Sequence, residues 1–201
     1  MNTYSIFTIT LLSLILIGIT VSSIIIIPDE SIDYEEDEIN EFIMETFDEI
    51  KNFIQIKDRM GKYYGDPPKI EKIVLLISPL FSSEFNMSSL KIKLDNGENV
   101  KILSYNGDLC IEISSYLFDN LLWDNVSEDE FGLLIINDDD NALQDYGVLN
   151  SNSDMAYVII NLENFSMNYK DTMRITFFPS TGWEKTIIIT AELPISKIVR
   201  L

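Results

Sequence analysis

The pattern of apolar and polar positions divides the chain into three parts, and the first part is almost entirely apolar. Residues 6–27 are 22 consecutive uncharged positions, of which fifteen are Ile, Leu, Val or Phe. As a helix rising about 1.5 Å per residue, this segment is about 33 Å long, enough to cross a hydrocarbon core of roughly 30 Å. The pattern therefore predicts a transmembrane or polymerisation helix over residues 1–27.

A cleaved secretory signal is the alternative interpretation of this segment. Such signals usually have an apolar region of about 7–15 residues, preceded by positive charge and followed by a small-residue cleavage site. Here the apolar run is longer, the first cation is Lys51, and residues 24–28 make a poor cleavage site. A retained helix is favoured, with the short N-terminus inside and the body of the protein outside.

The apolar segment also carries small residues that favour helix packing. Gly18 and Ser22 have the small-xxx-small spacing that lets helices approach closely in an apolar medium. Together with Leu14 and Ile17, they are the residues that we expect to act in polymerisation or in membrane insertion.

The second part, residues 28–66, predicts an acidic amphipathic helix followed by a linker. Pro28 interrupts the first helix, and Asp33 can cap a new one. Gly61 is a suitable end for this helix, and residues 65–68 form a stiff Gly-Asp-Pro-Pro linker. Apolar residues recur with helical spacing at Ile39, Phe42, Ile43, Phe47, Ile50, Phe53, Ile54 and Met60.

The third part, residues 67–201, changes to the period of β-strands. The turn pair Asn96-Gly97 separates two of the predicted strands, and Gly107-Asp108 is expected to turn the chain again. Because no crossover helices are visible, the pattern predicts an antiparallel β-sandwich, and the whole chain an α+β protein. Eight strands are predicted, at 69–77, 89–94, 100–105, 109–113, 131–136, 155–162, 172–178 and 185–192.

Composition excludes several classes of function. The chain has 33 acidic and 14 basic residues, a net charge of -19, which argues against binding nucleic acid. It has no histidine, no Gly-rich phosphate loop and no nucleophile elbow, so we expect no catalytic residues and no enzyme. The lone Cys110 lies in a strand-like run and is expected to pack as a small half-buried residue. Trp123 and Trp183 are expected to pack in the core or under loops.

Two kinds of candidate site remain. Asp138, Asp139 and Asp140 concentrate oxygen ligands after a strand, which would suit a hard cation such as Ca²⁺. A solvated turn is the alternative, because Asp and Asn favour turns and the EF-hand spacing is absent. The Asn-x-Ser sequons for N-glycosylation are at Asn86, Asn125 and Asn164.

Several segments together resemble archaellins, the archaeal flagellins, and more broadly the archaeal type IV pilin-like proteins. A Phe-led strand runs into an Asp-rich turn, an LNS step leads into the next strand, and a closing hairpin carries Pro and Gly in its loop. These segments are residues 85–90, 131–140, 148–154, 157–162, 175–183 and 187–190.

The resemblance implies an immunoglobulin-like head and a hydrophobic helix that packs with its copies in a filament used for swimming. It also implies glycosylation, insertion in the membrane before assembly, and partners in a prepilin peptidase and the archaellum assembly machinery. The family's basic leader does not precede residue 6, so either it is encoded upstream of Met1 or the chain is not processed.

The function expected is therefore a structural subunit of a cell-surface filament. The alternative is a membrane-anchored accessory or adhesion protein that does not polymerise. Its head would bind the cell envelope or motor components.

Overall fold

The structure, a computed structural model, describes residues 54–112, 116–180 and 184–201. We refer to residues 54–201 as the head. In the described part of the head, one α-helix, α1 (Ala142–Tyr146), and 3₁₀ turns at Met87–Ser89, Leu121–Asp124 and Glu163–Phe165 lie between strands. The strands are β1 (Ile54–Tyr64), β2 (Lys69–Pro79), β3 (Phe85–Asn86), β4 (Lys91–Asp95), β5 (Val100–Glu112), β6 (Glu130–Asn137), β7 (Val148–Leu149), β8 (Met155–Asn161), β9 (Thr172–Phe178), β10 (Lys185–Thr190) and β11 (Ile198–Arg200).

Nine strands form one curled sheet in the order β10-β9-β4-β5-β6-β8-β2-β1-β11. The sheet curls so that strands near its two ends approach each other. Arg59 Nη1 on β1 donates a hydrogen bond to the carbonyl of Ile188 on β10 at 3.2 Å. The short pair β3–β7 places Phe85 and Leu149 in the core. The predicted β-sandwich architecture is confirmed at this level for the described residues.

The central strands β2, β6 and β8 are buried on both faces. On β2, Ile73 and Leu75 enter the main core between the two halves of the sheet, whereas Val74 enters a smaller cluster on the outside. Residues 117–126 cover that outer cluster with side chains including Trp123. These strands read as unbroken apolar runs because neither face meets water.

The strands β4, β9 and β10 instead bury one face. Their inward side chains, among them Ile92, Ile175 and Ile189, belong to the main core. The outward positions are mostly polar or charged, with Lys91 and Arg174 as examples. This alternation is the pattern of a sheet whose second face is open to solvent.

The predicted turn at Asn96-Gly97 is confirmed, and the one at Gly107-Asp108 is wrong. Gly97 has φ +88° between β4 and β5. Strand β5 continues through Gly107, and the irregularity between Tyr105 and Cys110 is absorbed where β5 pairs with β6.

That pair, β5–β6, is parallel, whereas every other neighbouring pair in the nine-stranded sheet is antiparallel. The wholly antiparallel sheet predicted from the sequence is therefore wrong at this point. A parallel connection must cross over the sheet. Here residues 116–129, the described part of the connection, contain no long helix, and they bury Phe118 and Trp123 against the outer face.

The helix predicted up to Met60 is wrong for its last residues, which form β1. Residues Ile54–Tyr64 pair with β2 along their whole length, with register shifts at Ile56/Asp58 and Lys62/Tyr63. The head therefore includes residues 54–66, which the sequence assigned to the helix and linker.

Residues 1–53 lie outside the described residues, and so do the predicted hydrophobic helix and the rest of the predicted acidic helix. Within the described residues there is no helix long and apolar enough to span a membrane.

Candidate functional site

Two polar loops meet at one end of the sheet, and we call them the carboxylate loops. One is residues 138–141, after β6, and the other is residues 150–154, before β8. Asn137 Nδ2 donates to the carbonyl of Ser153 at 3.0 Å, and Asn150 Nδ2 donates to Asp140 Oδ2 at 2.6 Å. These hydrogen bonds hold the loops against each other.

Asp154 is the buried carboxylate of this arrangement, with only 1% of its surface exposed. Its Oδ2 accepts the backbone N–H groups of Asn150 and Ser151, both at 2.9 Å. Its Oδ1 is buried and has no hydrogen-bond partner among the described residues. A buried charge left half-satisfied is costly, so this oxygen has a strong preference for a donor or a cation.

Asp138 presents a second oxygen of the same kind. Its Oδ2 accepts the backbone N–H of Gln144 at 3.0 Å, while its Oδ1 is buried without a partner in the described part of the chain. Burial raises the pKa of Asp138, and the nearby carboxylates of Asp154 and Asp140 raise it further. The two orphaned oxygens therefore belong to carboxylates that repel each other.

Asp140 has a mainly structural place in the loops. Its Oδ1 accepts the N–H of Ala142 at the start of α1, at 3.0 Å. The hydrogen bond from Asn150 holds the pKa of Asp140 below its usual range. Helix α1 ends at Tyr146, and Gly147 caps it with a φ of +67°, a conformation that glycine adopts without strain.

The predicted metal ligands are thus only partly brought together. Asp138 and Asp140 lie in contact with the second loop, whereas exposed Asp139 makes only a long contact, 3.5 Å, with the hydroxyl of Ser153. No three His, Cys, Asp or Glu side chains of the described residues converge as a metal ion requires. Cation binding stays a prediction, and the structure adds Asp154 to its candidate residues. The sequence signal for Asp154 was its place at the end of the polar run 150–153, directly before a strand.

All three sequon asparagines are on the surface of the head. Asn86 accepts from Ser88 within its own 3₁₀ turn, and Asn164 donates to the carboxylate of Glu128. The side chain of Asn125 is exposed and has no hydrogen bond to the described residues. Each sequon is accessible, and modification stays a prediction.

Of the other residues that the sequence singled out, Cys110 and Trp123 pack in the head, and the rest are outside the described residues. Cys110 is 9% exposed, its Sγ donates to the carbonyl of Leu143 at 3.4 Å, and burial raises the pKa of its thiol. Trp123 packs in the outer cluster and donates from Nε1 to the carbonyl of Leu117 at 2.9 Å. The predicted packing of both residues is confirmed. Trp183 and the polymerisation residues Leu14, Ile17, Gly18 and Ser22 lie outside the described residues.

No protein-family model matches the chain. Flagellin B4 from Pyrococcus abyssi is 29% identical over 112 residues, which are 51% of this chain and 51% of that protein. The chain thus spans about half the length of this curated relative.

A solved structure of an archaeal flagellin has a similar fold. The crystal structure of flagellin FlaB1 from Methanocaldococcus jannaschii matches with a TM-score of 0.65 and 18% identity, over 73% of this chain and 94% of that one. The archaeal flagellum of Methanospirillum hungatei matches more weakly, with a TM-score of 0.49 and 9% identity over 95% of this chain and 94% of that chain. The resemblance to archaellins that the sequence motifs predicted is therefore confirmed, in sequence by a flagellin of Pyrococcus and in the fold of the head by that of Methanocaldococcus.

Proposed function

We propose that this chain is a structural subunit of an archaeal surface filament, the archaellum, and that it serves swimming motility. The supporting observation is one chain that combines an archaellin-like head with the 22-residue uncharged segment 6–27. An apolar helix of this length is stable only among apolar neighbours, either lipid or the same helix of other copies. Copies of the chain are thus the main partner, and no catalysis is involved.

The rest of the proposal follows the archaellin pattern. The helix over residues 1–27 sits in the membrane before assembly and in the filament afterwards, the acidic segment 28–53 connects it to the head, and the immunoglobulin-like head forms the outer surface of the filament. The prepilin peptidase and the archaellum assembly machinery would act on the chain before it polymerises. The final location is the cell surface.

A charge in the apolar helix tests this function directly. Leu14→Asp places a carboxylate in the segment at a cost of about 3 kcal/mol for insertion alone. We expect sheared filaments to disappear, while the head retains the circular dichroism and thermal unfolding of the wild type. Leu14→Val is the matched control, since it stays apolar, and it should assemble normally.

Two results would contradict the proposal. Intact filaments from Leu14→Asp would show that the helix does not drive assembly. Detergent-extracted wild-type protein that stays monomeric, and is absent from sheared filaments, would instead identify a membrane-anchored accessory protein whose head binds the envelope or the motor.

We also propose that the carboxylate loops bind a hard cation such as Ca²⁺. The support is chemical: Asp138 and Asp154 each keep one buried oxygen without a partner, and both residues are carboxylates in a site rich in other oxygens. Calcium takes about six to eight oxygen ligands from carboxylates, amides and carbonyls. Asp138 and Asp154 are the carboxylate ligands that we propose, with the remaining oxygens supplied by carbonyls, amides or water, and a bound cation would relieve the repulsion between the two charges.

Glycosylation of the head is the last part of the proposal. The sequons at Asn86, Asn125 and Asn164 are exposed, and a surface location outside the cell makes them accessible to modification. Intact-mass spectrometry of native filaments should give a mass above that of the polypeptide, and Asn→Gln at an occupied site should remove one glycan mass. A native mass equal to that of the polypeptide would contradict this.

A further inference from the structure

One face of the head carries an unusual set of outward side chains, and we call it the cationic face. It is the outer side of β4, β9, β10 and the first half of β5. The strand register places Lys93 beside Ile102, and Asp95 between Arg174 and Val100. Lys91 lies one pair further along, beside Ser104. The face therefore carries three outward cations and one outward carboxylate on a head that is acidic overall.

Apolar side chains border these cations and are open to solvent. Val100 and Ile102 on β5 are 61% and 60% exposed, and Ile188 on β10 is 59% exposed. Val100 and Ile102 lie together on β5, whereas Ile188 lies on β10, beyond Arg174 and Asp95, so the exposed apolar side chains lie on either side of the charged ones. Exposure of such side chains to water is unfavourable. The combination of exposed apolar and cationic groups fits a partner that is both apolar and acidic.

The two lysines of this face have no carboxylate partner among the described residues. Lys91 Nζ donates to the hydroxyl of Ser104 at 2.9 Å, and Lys93 Nζ lies 5.7 Å from the ring centroid of Phe178. Elsewhere on the head, Lys62, Lys101 and Arg200 are paired with carboxylates, Lys62 with Asp119 at 2.5 Å, whereas Lys170 lies over the ring of Tyr169. The lysines of the cationic face are thus available to an acidic partner.

The chain itself contains a segment of the matching chemistry. Residues 29–49 hold 11 of the 33 acidic residues, and residues 1–53 hold one of the 14 cations, Lys51. Ten of the 19 net negative charges therefore lie before the head, all within residues 29–53, which are about an eighth of the chain. The same segment has an apolar stripe with helical spacing, bordered by Glu38 and Glu49.

We propose that the cationic face binds the acidic segment 29–49 of a neighbouring copy of the chain. This inference rests on the proposed function, because a filament brings many such segments close together. Thirteen of the 14 cations lie on the heads, so the heads are the source of charge that can offset the crowded carboxylates. The apolar stripe would cover Val100, Ile102 and Ile188 while the flanking carboxylates pair with Lys91 and Lys93.

Charge reversal of the face tests the proposal in the full chain, expressed in an archaeal host that lacks its own filament subunits. In Lys91→Glu/Lys93→Glu, like charges would face each other across the interface. We expect the fraction of protein in the sheared filament pellet to fall at least about five-fold. The control Lys170→Glu/Lys197→Glu makes the same change in net charge at exposed positions off the face, and it should assemble like the wild type.

Compensation separates pairing from net charge. Adding Glu38→Lys/Glu49→Lys to the reversed face should restore the pellet fraction to within about two-fold of the wild type, since attraction is restored with inverted signs. The same two changes in the wild-type background should weaken assembly. Thermal unfolding of each variant, unchanged from the wild type, excludes loss of the fold as the cause.

Disulfide trapping tests which copy supplies the segment. In a Cys110→Ala background, one tagged chain carries Ile102→Cys and an untagged chain carries Ile43→Cys. Mixed filaments should form a cross-linked heterodimer under mild oxidation. A chain that carries both changes and forms a link only within itself would overturn the proposal, because its segment would then bind its own head.

The outcomes distinguish this inference from the proposed function. If the reversed-face variant, the control variant and the wild type all assemble equally well, the cationic-face contact is overturned and the filament role stays intact. A wild-type chain that never assembles overturns both. Charge-dependent assembly together with the heterodimer supports the contact.

Discussion

The carboxylate of Asp154 gives the sharpest test of the carboxylate loops. In Asp154→Asn, the amide oxygen can still accept the N–H groups of Asn150 and Ser151 that Oδ2 accepts at 2.9 Å. Hydrogen bonds to a charged acceptor contribute about 1.5–3 kcal/mol and those to a neutral one about 0.5–1.5, so the two bonds together lose about 2 kcal/mol. The variant also removes a buried charge whose second oxygen has no partner. Burying a charge costs several kcal/mol, so its removal offsets the loss from the weaker hydrogen bonds.

The cation response of the variant is therefore more informative than its stability alone. A cation at a hundred times its Kd stabilises the wild-type fold by about 2.7 kcal/mol. For a domain of this size, that corresponds to a rise in Tm of roughly 5–10 °C. Asp154→Asn should show almost none of this rise, because the free oxygen that would contact the cation has been replaced by an N–H donor.

The assay is thermal unfolding of the detergent-solubilised full chain, first in a chelator and then with stepwise addition of Ca²⁺ and, separately, Mg²⁺. Asp139→Asn is the matched control, since its carboxylate is exposed and contacts only the hydroxyl of Ser153, at 3.5 Å. It should keep the calcium response. A wild-type Tm that does not change with Ca²⁺, or a full response in Asp154→Asn, would refute the reasoning.

Other expectations concern the stability of the head. Gly132→Ala would place a Cβ 2.7 Å from the carbonyl oxygen of the neighbouring strand β5, so it should lower the unfolding free energy by about 2 kcal/mol. Gly107→Ala, whose Cβ would meet its nearest atom at 3.8 Å, should stay within about 0.5 kcal/mol of the wild type, and equal urea midpoints for the two variants would contradict the close packing. The hydrogen bond from Lys62 lowers the pKa of Asp119, so this pair stabilises the fold above the usual Asp pKa of about 3.9 and its contribution disappears as the pH falls through the lowered value. Asp119→Asn should therefore differ from the wild type in urea unfolding at pH 6 and converge with it near pH 2, and a constant difference would contradict the ion pair. Cys110 is 9% exposed, and burial raises the pKa of its thiol. A thiol reagent should thus modify it only on unfolding, whereas rapid reaction of the native protein would show that this strand is open.

The strand period predicted most of the head because each strand buries apolar side chains at alternate positions. Strand β1 was missed for a reason that is visible in its residues. Ile54 and Ile56 pack on the main core, but the register shift at Ile56/Asp58 turns Met60 to the outer cluster and so breaks the alternation. The seven-residue spacing from Phe53 to Met60 also fits a helix. Only the pairing with β2 decides between helix and strand for this segment, and that pairing is not visible in the sequence of the segment itself.

The candidate site shows the same limit in another form. Sequence adjacency drew attention to Asp138, Asp139 and Asp140, whereas the buried oxygens without partners belong to Asp138 and Asp154. Asp154 stands alone in the sequence and comes next to Asp138 because β6 and β8 are neighbours in the sheet. A run of acidic residues marks a polar turn, but the chemistry of the site depends on which loops the topology brings together.

The two halves of the curled sheet differ in a way that bears on assembly. Strands β2, β6 and β8 read as unbroken apolar runs, and the chain supplies their cover with its own residues 117–126. Strands β4, β9 and β10 alternate, which predicts a solvent-facing side, yet Ile188 on that side is 59% exposed, as are Val100 and Ile102 on β5 to a similar degree. Charged side chains would be sufficient for a surface that meets only water, and exposed β-branched side chains lose free energy there. The half of the sheet that the described residues leave uncovered is therefore a surface on which a filament neighbour can bury apolar side chains.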